Sequence, residues 1–194
     1  MKIAVIGAGL MGAGIAQTCA QAGYEVTNID VFKPAVDKAK ANIEKLFAKK
    51  IAKGKMTEEE KEEIVSRIAY SSRMEDVKGA EIIVEAVPEK IDLKKSVFEQ
   101  LDEAADTEAI LVSNTSGLSI SEIAAATKRP HKVMGVHFFY PAPVMKLAEL
   151  IRGIATDEDT YNKVKEFALS LGKTVVDAPE YPGFIVNRIL VPMQ

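Results

Sequence analysis

Several shortages limit what this chain of 194 residues can be. It contains one cysteine, two histidines and no tryptophan. A lone Cys19 excludes a disulfide within the chain and is typical of a reducing compartment, so we expect a cytoplasmic protein. No uninterrupted apolar run reaches about 18 residues, so no membrane span is predicted. The formal net charge of −3 gives no reason to expect a nucleic acid as partner.

The remaining composition is that of an ordinary globular protein, with 47% apolar and 27% charged residues. Strand-like and helix-like segments alternate, which predicts an α/β fold with a mainly parallel, doubly wound sheet. We predict strands at residues 2–6, 25–29, 68–70, 82–85, 110–113, 133–137, 146–150 and 174–177. Helices are predicted at residues 12–22, 34–53, 58–66, 90–104, 119–126 and 157–171.

A glycine-rich turn follows the first apolar strand and opens the first helix. Its glycines have the spacing G-x-G-x-x-G at Gly7, Gly9 and Gly12. In dinucleotide-binding folds these glycines permit the tight turn, the approach of a pyrophosphate and close helix packing, and the helix N-terminus favours the phosphates. We therefore predict that a dinucleotide binds to the turn, which comprises Gly7, Ala8, Gly9, Leu10, Met11 and Gly12.

Asp30 ends the second apolar run, about 20 residues beyond the turn. A carboxylate at this position accepts a hydrogen bond from the adenosine ribose of NAD and repels the 2′-phosphate of NADP. No arginine follows closely, and Lys33 is the only nearby cation. The sequence therefore predicts NAD as the cofactor.

A helical hairpin is predicted at residues 34–67, which is longer than one crossover needs. Pro34 suits a first helical turn, Gly54 suits a helix end, and Thr57 with Glu60 forms a capping box. We expect the hairpin to protrude from the sheet with a cluster of lysines. Such a cluster is a solvated helix face or a binding surface, and the residues alone leave both interpretations open.

A domain boundary is predicted near residue 182. We expect residues 1–181 to form a nucleotide-binding domain, and residues 182–194 to begin a helical C-terminal domain that is otherwise absent. The basis is an apolar helix predicted from Phe184 onward, because such a helix needs a surface to pack against.

Two residues in the second half have the chemistry for proton transfer. His137 ends an apolar strand, and ligands of open α/β sheets gather beyond the carboxyl ends of strands. Glu149 lies near the end of the next apolar segment, so we expect two adjacent strand ends to bring its carboxylate to the imidazole. The ring nitrogen left free would then take a proton from an alcohol. A structural histidine and a surface carboxylate are the alternatives.

Further polar residues are candidates for the same site. Residues 113–116 supply small hydrogen-bonding groups after another strand, although a helix N-cap would also explain them. Asn187 is a polar residue on the last apolar helix and needs a partner in a ligand or in the protein. No metal site is predicted.

Taken together, these stretches resemble the L-3-hydroxyacyl-CoA dehydrogenase family, and within it the bacterial 3-hydroxybutyryl-CoA dehydrogenases. The resemblance covers essentially the whole chain. It rests on the glycine-rich turn, on Ser113–Ser116, His137–Phe139, Pro141–Met145 and Lys146–Glu149, and on Gly183–Arg188. It implies a Rossmann-type fold and a full-length protein that forms a homodimer through the C-terminal domain.

The resemblance also implies an activity, which belongs to fatty acid and butyrate metabolism. The reaction is NAD-dependent oxidation of a short-chain L-3-hydroxyacyl-CoA, such as 3-hydroxybutyryl-CoA, to the 3-oxoacyl-CoA, and the reverse reduction. His137 would be the general acid/base and Glu149 its partner. Ser116 and Asn187 would orient the substrate and the histidine. Ser116, Glu89 and Lys94 would contact the cofactor. Lys50 and Lys53 would contact the phosphates of coenzyme A.

Two positions depart from the family pattern. Tyr140 stands where asparagine is usual, and Gly117 stands where a second serine is common. Two other interpretations also remain. One is an NAD-binding module without turnover, because the C-terminal domain is missing, and the other is a dehydrogenase of a hydroxy acid that carries no coenzyme A.

Overall fold

In the computed structural model, which describes residues 1–193, one eight-stranded sheet lies between helices. The strands are β1 (Lys2–Ile6), β2 (Glu25–Ile29), β3 (Ile68–Ser71), β4 (Ile82–Glu85), β5 (Ile110–Ser113), β6 (Val133–Phe138), β7 (Leu147–Arg152) and β8 (Thr174–Ala178). The α-helices are α1 (Leu10–Gln21), α2 (Lys33–Ala52), α3 (Glu58–Ser66), α4 (Ile91–Ala104), α5 (Ile120–Ala124), α6 (Glu158–Ser170) and α7 (Val186–Leu190).

The strands are ordered β3-β2-β1-β4-β5-β6-β7-β8 across the sheet. All neighbouring pairs are parallel except β6 and β7, which are antiparallel. This confirms the predicted α/β fold with a mainly parallel, doubly wound sheet. The strand order reverses between β1 and β4, and such a switch point opens a crevice for a ligand at the carboxyl ends of the strands.

Two apolar cores cover the two faces of the sheet. Because side chains alternate along a strand, Ile3 and Val5 of β1 face one core, whereas Ala4 and Ile6 face the other. Helices α1, α2 and α6 pack on the first face, and α4 and α5 pack on the second. Both faces are therefore covered, as the apolar runs of the strands require.

The hairpin protrudes only in part. One face of α2 is buried in the first core along most of its length, through Val36, Ala39, Ile43 and Phe47. In contrast, α3 buries no side chain completely. The capping box at Thr57 is present, and Thr57 and Glu60 exchange hydrogen bonds as predicted. The exposed parts of the hairpin are α3 and the lysine-rich end of α2.

The C-terminal segment begins with a sharp turn. Gly183 and Phe184 both have positive φ, at 78° and 50°. The helix expected from Phe184 is shorter than predicted, since α7 spans Val186–Leu190 and a 3-10 turn follows at Val191–Met193. Its predicted end at Gln194 lies outside the described residues. Within residues 1–193, no helix combines the length and the apolar character needed to cross a membrane.

Candidate active site

His137 and Glu149 form a buried hydrogen-bonded pair. The antiparallel register of β6 and β7 places the two residues directly opposite each other. His137 Nδ1 lies 2.7 Å from Glu149 Oε2, and the side chains are 6% and 1% exposed. The pair therefore forms through cross-strand register, not through the meeting of two strand ends that the sequence suggested, because β7 extends to Arg152 and places Glu149 in mid-strand.

The second oxygen of Glu149 is bound by the C-terminal segment. Oε1 accepts hydrogen bonds from the backbone N–H groups of Ile185 and Val186, at 3.0 and 2.9 Å. Two aromatic rings pack on the imidazole of His137, with centroids 4.4 Å away for Phe139 and 5.7 Å away for Phe184. Both oxygens of the carboxylate are thus used, and the imidazole packs against two aromatic rings.

Ser116 and Asn187 are brought together beside this pair. The Nδ2 of Asn187 donates to the carbonyl oxygen of Ser116 at 3.2 Å. The backbone N–H of Ser116 donates to Oε1 of Glu89 at 2.7 Å, and Thr115 Oγ1 donates to the same oxygen at 2.5 Å. Three of the predicted site residues therefore share one hydrogen-bonded cluster.

Lys94 contacts Glu89 and is almost completely buried. Its Nζ is 2.6 Å from Oε1 of Glu85, 3.2 Å from the carbonyl oxygen of Val87 and 3.4 Å from Oε2 of Glu89. Glu85, also buried, accepts a further hydrogen bond from Ser113 Oγ at 2.7 Å. The amine of Lys94 is thus held by the protein, and it fixes the loop that carries Glu89.

Glu85 was missed in the sequence. Its position as an acid at the end of the apolar strand β4 is the signal that would have found it.

The glycine-rich turn has the geometry of a phosphate cradle. A Cβ on Gly12 would lie 1.9 Å from the carbonyl oxygen of Gly7, and one on Gly7 would lie 2.7 Å from that of Ala86. A Cβ on Gly9 would meet no atom within 4 Å, so the backbone there faces open space. Because this space adjoins the N-terminus of α1, it suits a phosphate group.

Asp30 lies next to this turn. Its Oδ2 accepts a hydrogen bond from the backbone N–H of Ala8 at 2.8 Å, and its Oδ1 accepts one from Phe32 at 2.9 Å. The carboxylate thus holds the turn and also presents a negative charge beside it. The residues present therefore fit a dinucleotide whose adenosine ribose carries no 2′-phosphate.

A cavity of about 650 Å³ extends from the turn along α2. One wall is formed by α2, where Lys38, Asn42, Leu46 and Lys50 line the cavity at a spacing of four residues, together with Pro34, Ala35 and Ile43. The opposite wall contains Leu10, Gly14 and residues 140–144. Of the two lysines predicted to bind phosphates, Lys50 lines the cavity, whereas Lys53 is exposed beyond the end of α2. Lys38 and Asn42 precede Lys50 on α2 at multiples of four residues, and this spacing is the signal in the sequence that would have placed them on the same face of the helix as Lys50.

Lys173 supports the loop between β6 and β7 and was also missed. It is only 7% exposed, and its Nζ donates to the carbonyl oxygens of Ala142 and Met145 at 2.5 and 2.8 Å. Burial lowers the pKa of this amine. Burial also raises the pKa of the nearby Cys19 thiol to about 12, as suits a structural cysteine.

The two departures from the family pattern have different surroundings. Tyr140 is 61% exposed and lies at the edge of the cavity. Gly117 packs against the C-terminal segment, where a Cβ would lie 2.8 Å from the backbone nitrogen of Gly183. Glycine at this position therefore permits the close approach of that segment.

The described residues contain no group of three or more histidine, cysteine, aspartate or glutamate side chains placed to hold a metal ion.

Comparison with known proteins gives consistent results. The sequence model of the family described as "3-hydroxyacyl-CoA dehydrogenase, NAD binding domain" matches residues 2–181. The 3-hydroxybutyryl-CoA dehydrogenase of Clostridioides difficile is 47% identical over 193 residues, which are 100% of this chain and 69% of that protein.

Two solved structures are also similar. The (S)-3-hydroxybutyryl-CoA dehydrogenase from Ralstonia eutropha superposes with a TM-score of 0.96 at 41% identity, over 99% of this chain and 68% of that one. A diketoreductase that acts on dicarbonyl compounds superposes with a TM-score of 0.92 at 32% identity, over 99% and 69%. The chain thus spans about two thirds of the length of these relatives.

Proposed function

The chain belongs to the 3-hydroxyacyl-CoA dehydrogenase family, and on that premise we propose that it oxidises a short-chain L-3-hydroxyacyl-CoA with NAD and runs the reverse reduction. The observation that carries the proposal is the buried hydrogen bond of 2.7 Å between His137 and Glu149. A relative that is 47% identical is a 3-hydroxybutyryl-CoA dehydrogenase, which supports 3-hydroxybutyryl-CoA as the substrate.

NAD, when bound, accepts a hydride from C3 of the substrate or returns one to it. Gly9 and the N-terminus of α1 would hold its pyrophosphate, and the carboxylate of Asp30 would accept a hydrogen bond from its adenosine ribose. The open space at Gly9 and the position of Asp30 beside the turn support this assignment.

His137 acts as the general acid/base in this proposal. Because Glu149 holds Nδ1, the other ring nitrogen, Nε2, is the atom that we assign to the substrate. Nε2 takes the proton of the 3-hydroxyl group as the alcohol is oxidised. Glu149 holds Nδ1 and stabilises the imidazolium that forms, and in the reverse direction the imidazolium returns the proton.

The neighbouring residues orient the reacting groups. We assign to Ser116 and Asn187 the positioning of the substrate oxygen next to His137, and to Ser116 and Glu89 the contacts with the cofactor. The hydrogen bonds that join Ser116 to both Asn187 and Glu89 support a shared role. Lys94 acts through Glu89, since the protein holds its amine.

Lys50 and Lys53 are assigned to the phosphates of coenzyme A. Lys50 supports this best, because it lines the cavity along α2. Lys53 extends the positive charge beyond the helix end. The phosphates carry negative charge, so lysines at the entrance of a cavity attract them.

Residues 1–181 constitute the NAD-binding domain in this proposal, and residues 182–194 begin a second domain. The match of the family model to residues 2–181 supports the boundary. We further propose that the full-length protein is a homodimer formed through that second domain.

The test is the substitution His137→Gln, which keeps a polar side chain and removes the acid/base group. We expect turnover of acetoacetyl-CoA with NADH to fall by about 10²–10⁴-fold, the usual contribution of a general base. The binding of NADH, followed by fluorescence, should be unchanged. His131→Gln is the matched control, because His131 is the other histidine and lies in a 3-10 turn away from Glu149. Turnover by His137→Gln near that of the unchanged chain would refute the assignment.

A second candidate is the reduction of a carbonyl compound that carries no coenzyme A. The similarity to a diketoreductase at 32% identity favours it. Comparing acetoacetyl-CoA with acetoacetate as substrates separates the two functions. A kcat/KM that does not depend on the coenzyme A moiety would favour the second candidate.

A further inference from the structure

The segment Gly183–Asn187 contacts the candidate site at three points. The ring of Phe184 packs on His137, the N–H groups of Ile185 and Val186 bind Glu149, and the side chain of Asn187 binds Ser116. These residues follow the nucleotide-binding domain along the chain. The site is therefore closed on one side by a segment that belongs neither to β6 nor to β7.

The backbone of this segment is unusual at Phe184. Its φ of 50° lies in the left-handed region, which a phenylalanine seldom adopts. The ring is nonetheless 2% exposed, so burial holds the residue in that conformation. Such strain persists where the surroundings determine the conformation, and it often marks a functional site. Here the turn directs two successive N–H groups at the same oxygen atom.

We propose that this segment positions the acid/base pair, with the N–H groups of Ile185 and Val186 fixing the carboxylate of Glu149. This inference rests on the proposed function, in which Glu149 holds His137. A carboxylate bound through one oxygen only can rotate about its terminal bond. Because Oε1 is held by two donors, Oε2 remains directed at Nδ1 of His137.

The two donors also make the buried charge tolerable. Glu149 is 1% exposed, and a buried carboxylate is costly unless its oxygens have hydrogen-bond donors. His137 supplies one donor and the C-terminal segment supplies the other two. A displacement of α7 would therefore loosen Glu149 and, through it, the imidazole.

The test replaces single backbone amides with esters by ligating a synthetic C-terminal segment onto the chain. An ester at Val186 removes one N–H donor to Glu149 and leaves every side chain unchanged. An ester at Ile189 is the matched control, because the N–H of Ile189 bonds to the carbonyl oxygen of Ile185 within the same helix. An ester at Ile185 removes the other donor and replaces the first variant if that one does not fold.

The readout is the proton NMR resonance of the hydrogen shared by His137 Nδ1 and Glu149 Oε2, which requires no turnover. We expect a downfield resonance in the unchanged chain, an upfield shift or loss in the Val186 ester, and no change in the Ile189 ester. An unchanged resonance in the Val186 ester would overturn the proposal, as would an equal shift in both esters or no downfield resonance at all. Because His137→Gln tests turnover separately, failure of either inference is recognised independently of the other.

Discussion

Lys173 is a buried cation whose hydrogen-bond partners are two carbonyl groups and not a carboxylate. It supports the loop of residues 140–145, which connects the strand of His137 to the strand of Glu149. Its role does not follow from the sequence, because a lysine in a helix-to-strand turn is usually exposed. Only the fold brings a residue of the turn before β8 beneath a loop about 30 positions earlier.

We predict that Lys173→Met lowers the free energy of unfolding by about 1–3 kcal/mol, the cost of leaving buried polar groups unpaired. Urea denaturation measures this change. Lys163→Met, at an exposed position on α6, is the control and should change stability little.

The same residue predicts a dependence on pH. Burial lowers the pKa of Lys173 below its ordinary value of 10.5. Between those two values the unfolded chain binds more protons than the folded chain, so stability rises with pH. The stability of the unchanged chain relative to Lys173→Met should therefore increase as pH is raised towards 10.5. A difference that stays constant or decreases over this interval would contradict a buried, charged Lys173.

Asp30 carries the prediction of cofactor preference. Replacing Asp30→Ala together with Val31→Arg removes the charge that repels a 2′-phosphate and adds a cation beside the turn. Val31 is 75% exposed and can accept the arginine. We expect the preference for NADH over NADPH to fall by at least about tenfold, equivalent to roughly 1.4 kcal/mol.

Binding titrations with both nucleotides measure this preference. Val31→Arg alone is the control, since it retains the carboxylate. An unchanged preference in the double variant would show that Asp30 does not select the cofactor.

Among the elements, strands β1, β2, β4 and β5 begin and end where the sequence predicted. β1, β4 and β5 each contain a run of three or four aliphatic residues, which is visible locally, whereas β2 also contains the polar Thr27 and Asn28. β7 extends two residues beyond its predicted end at residue 150, because Ile151 and Arg152 pair with Gly135 and Met134 of β6. In the fold, Glu149 lies directly opposite His137 on the neighbouring strand, a register that the apolar pattern alone does not give.

The helical periodicity of α2 predicts some of its functional residues but not all of them. Its buried residues and its cavity residues form neighbouring rows at helical spacing, and Ile43 belongs to both. The sequence identified the lysines at the end of the helix but not the Lys38 and Asn42 side chains along the cavity. Their role depends on the loop of residues 140–144, which forms the opposite wall.

We predict that Lys50→Glu raises the KM for acetoacetyl-CoA by about fivefold, corresponding to an exposed ion pair of about 1 kcal/mol. The KM for NADH should not change. Lys40→Glu makes the same change of charge on an exposed residue of the same helix that does not line the cavity, and serves as the control. Equal effects of the two substitutions would indicate a general effect of charge and would argue against a phosphate site at Lys50.

Across the whole molecule, the alternation of strands and helices was enough to predict a doubly wound, mainly parallel sheet. The sequence also contains a signal of the antiparallel pair. Only residues 139–146 connect β6 to β7, whereas a parallel crossover needs a dozen or more residues. That short connection favours an antiparallel pair, and it is this pair that sets His137 opposite Glu149.

The contacts between the C-terminal segment and the candidate site could not be predicted. The sequence suggested that a new unit begins near residue 182. The residues alone gave Asn187 only an unspecified partner, and the family resemblance assigned it to the site together with Ser116. In the fold, residues 183–187 contact His137, Glu149 and Ser116. These contacts join positions about 35 to 70 residues apart in sequence, and only the assembled sheet brings them together.

The most direct measurement is the oxidation of NADH by this chain in the presence of acetoacetyl-CoA, followed by absorbance. We predict consumption of NADH that requires acetoacetyl-CoA and is lost in His137→Gln. A chain that binds NADH but gives no turnover would favour the alternative of an NAD-binding module. Turnover that persists without His137 would contradict the proposal that His137 and Glu149 carry out the proton transfer.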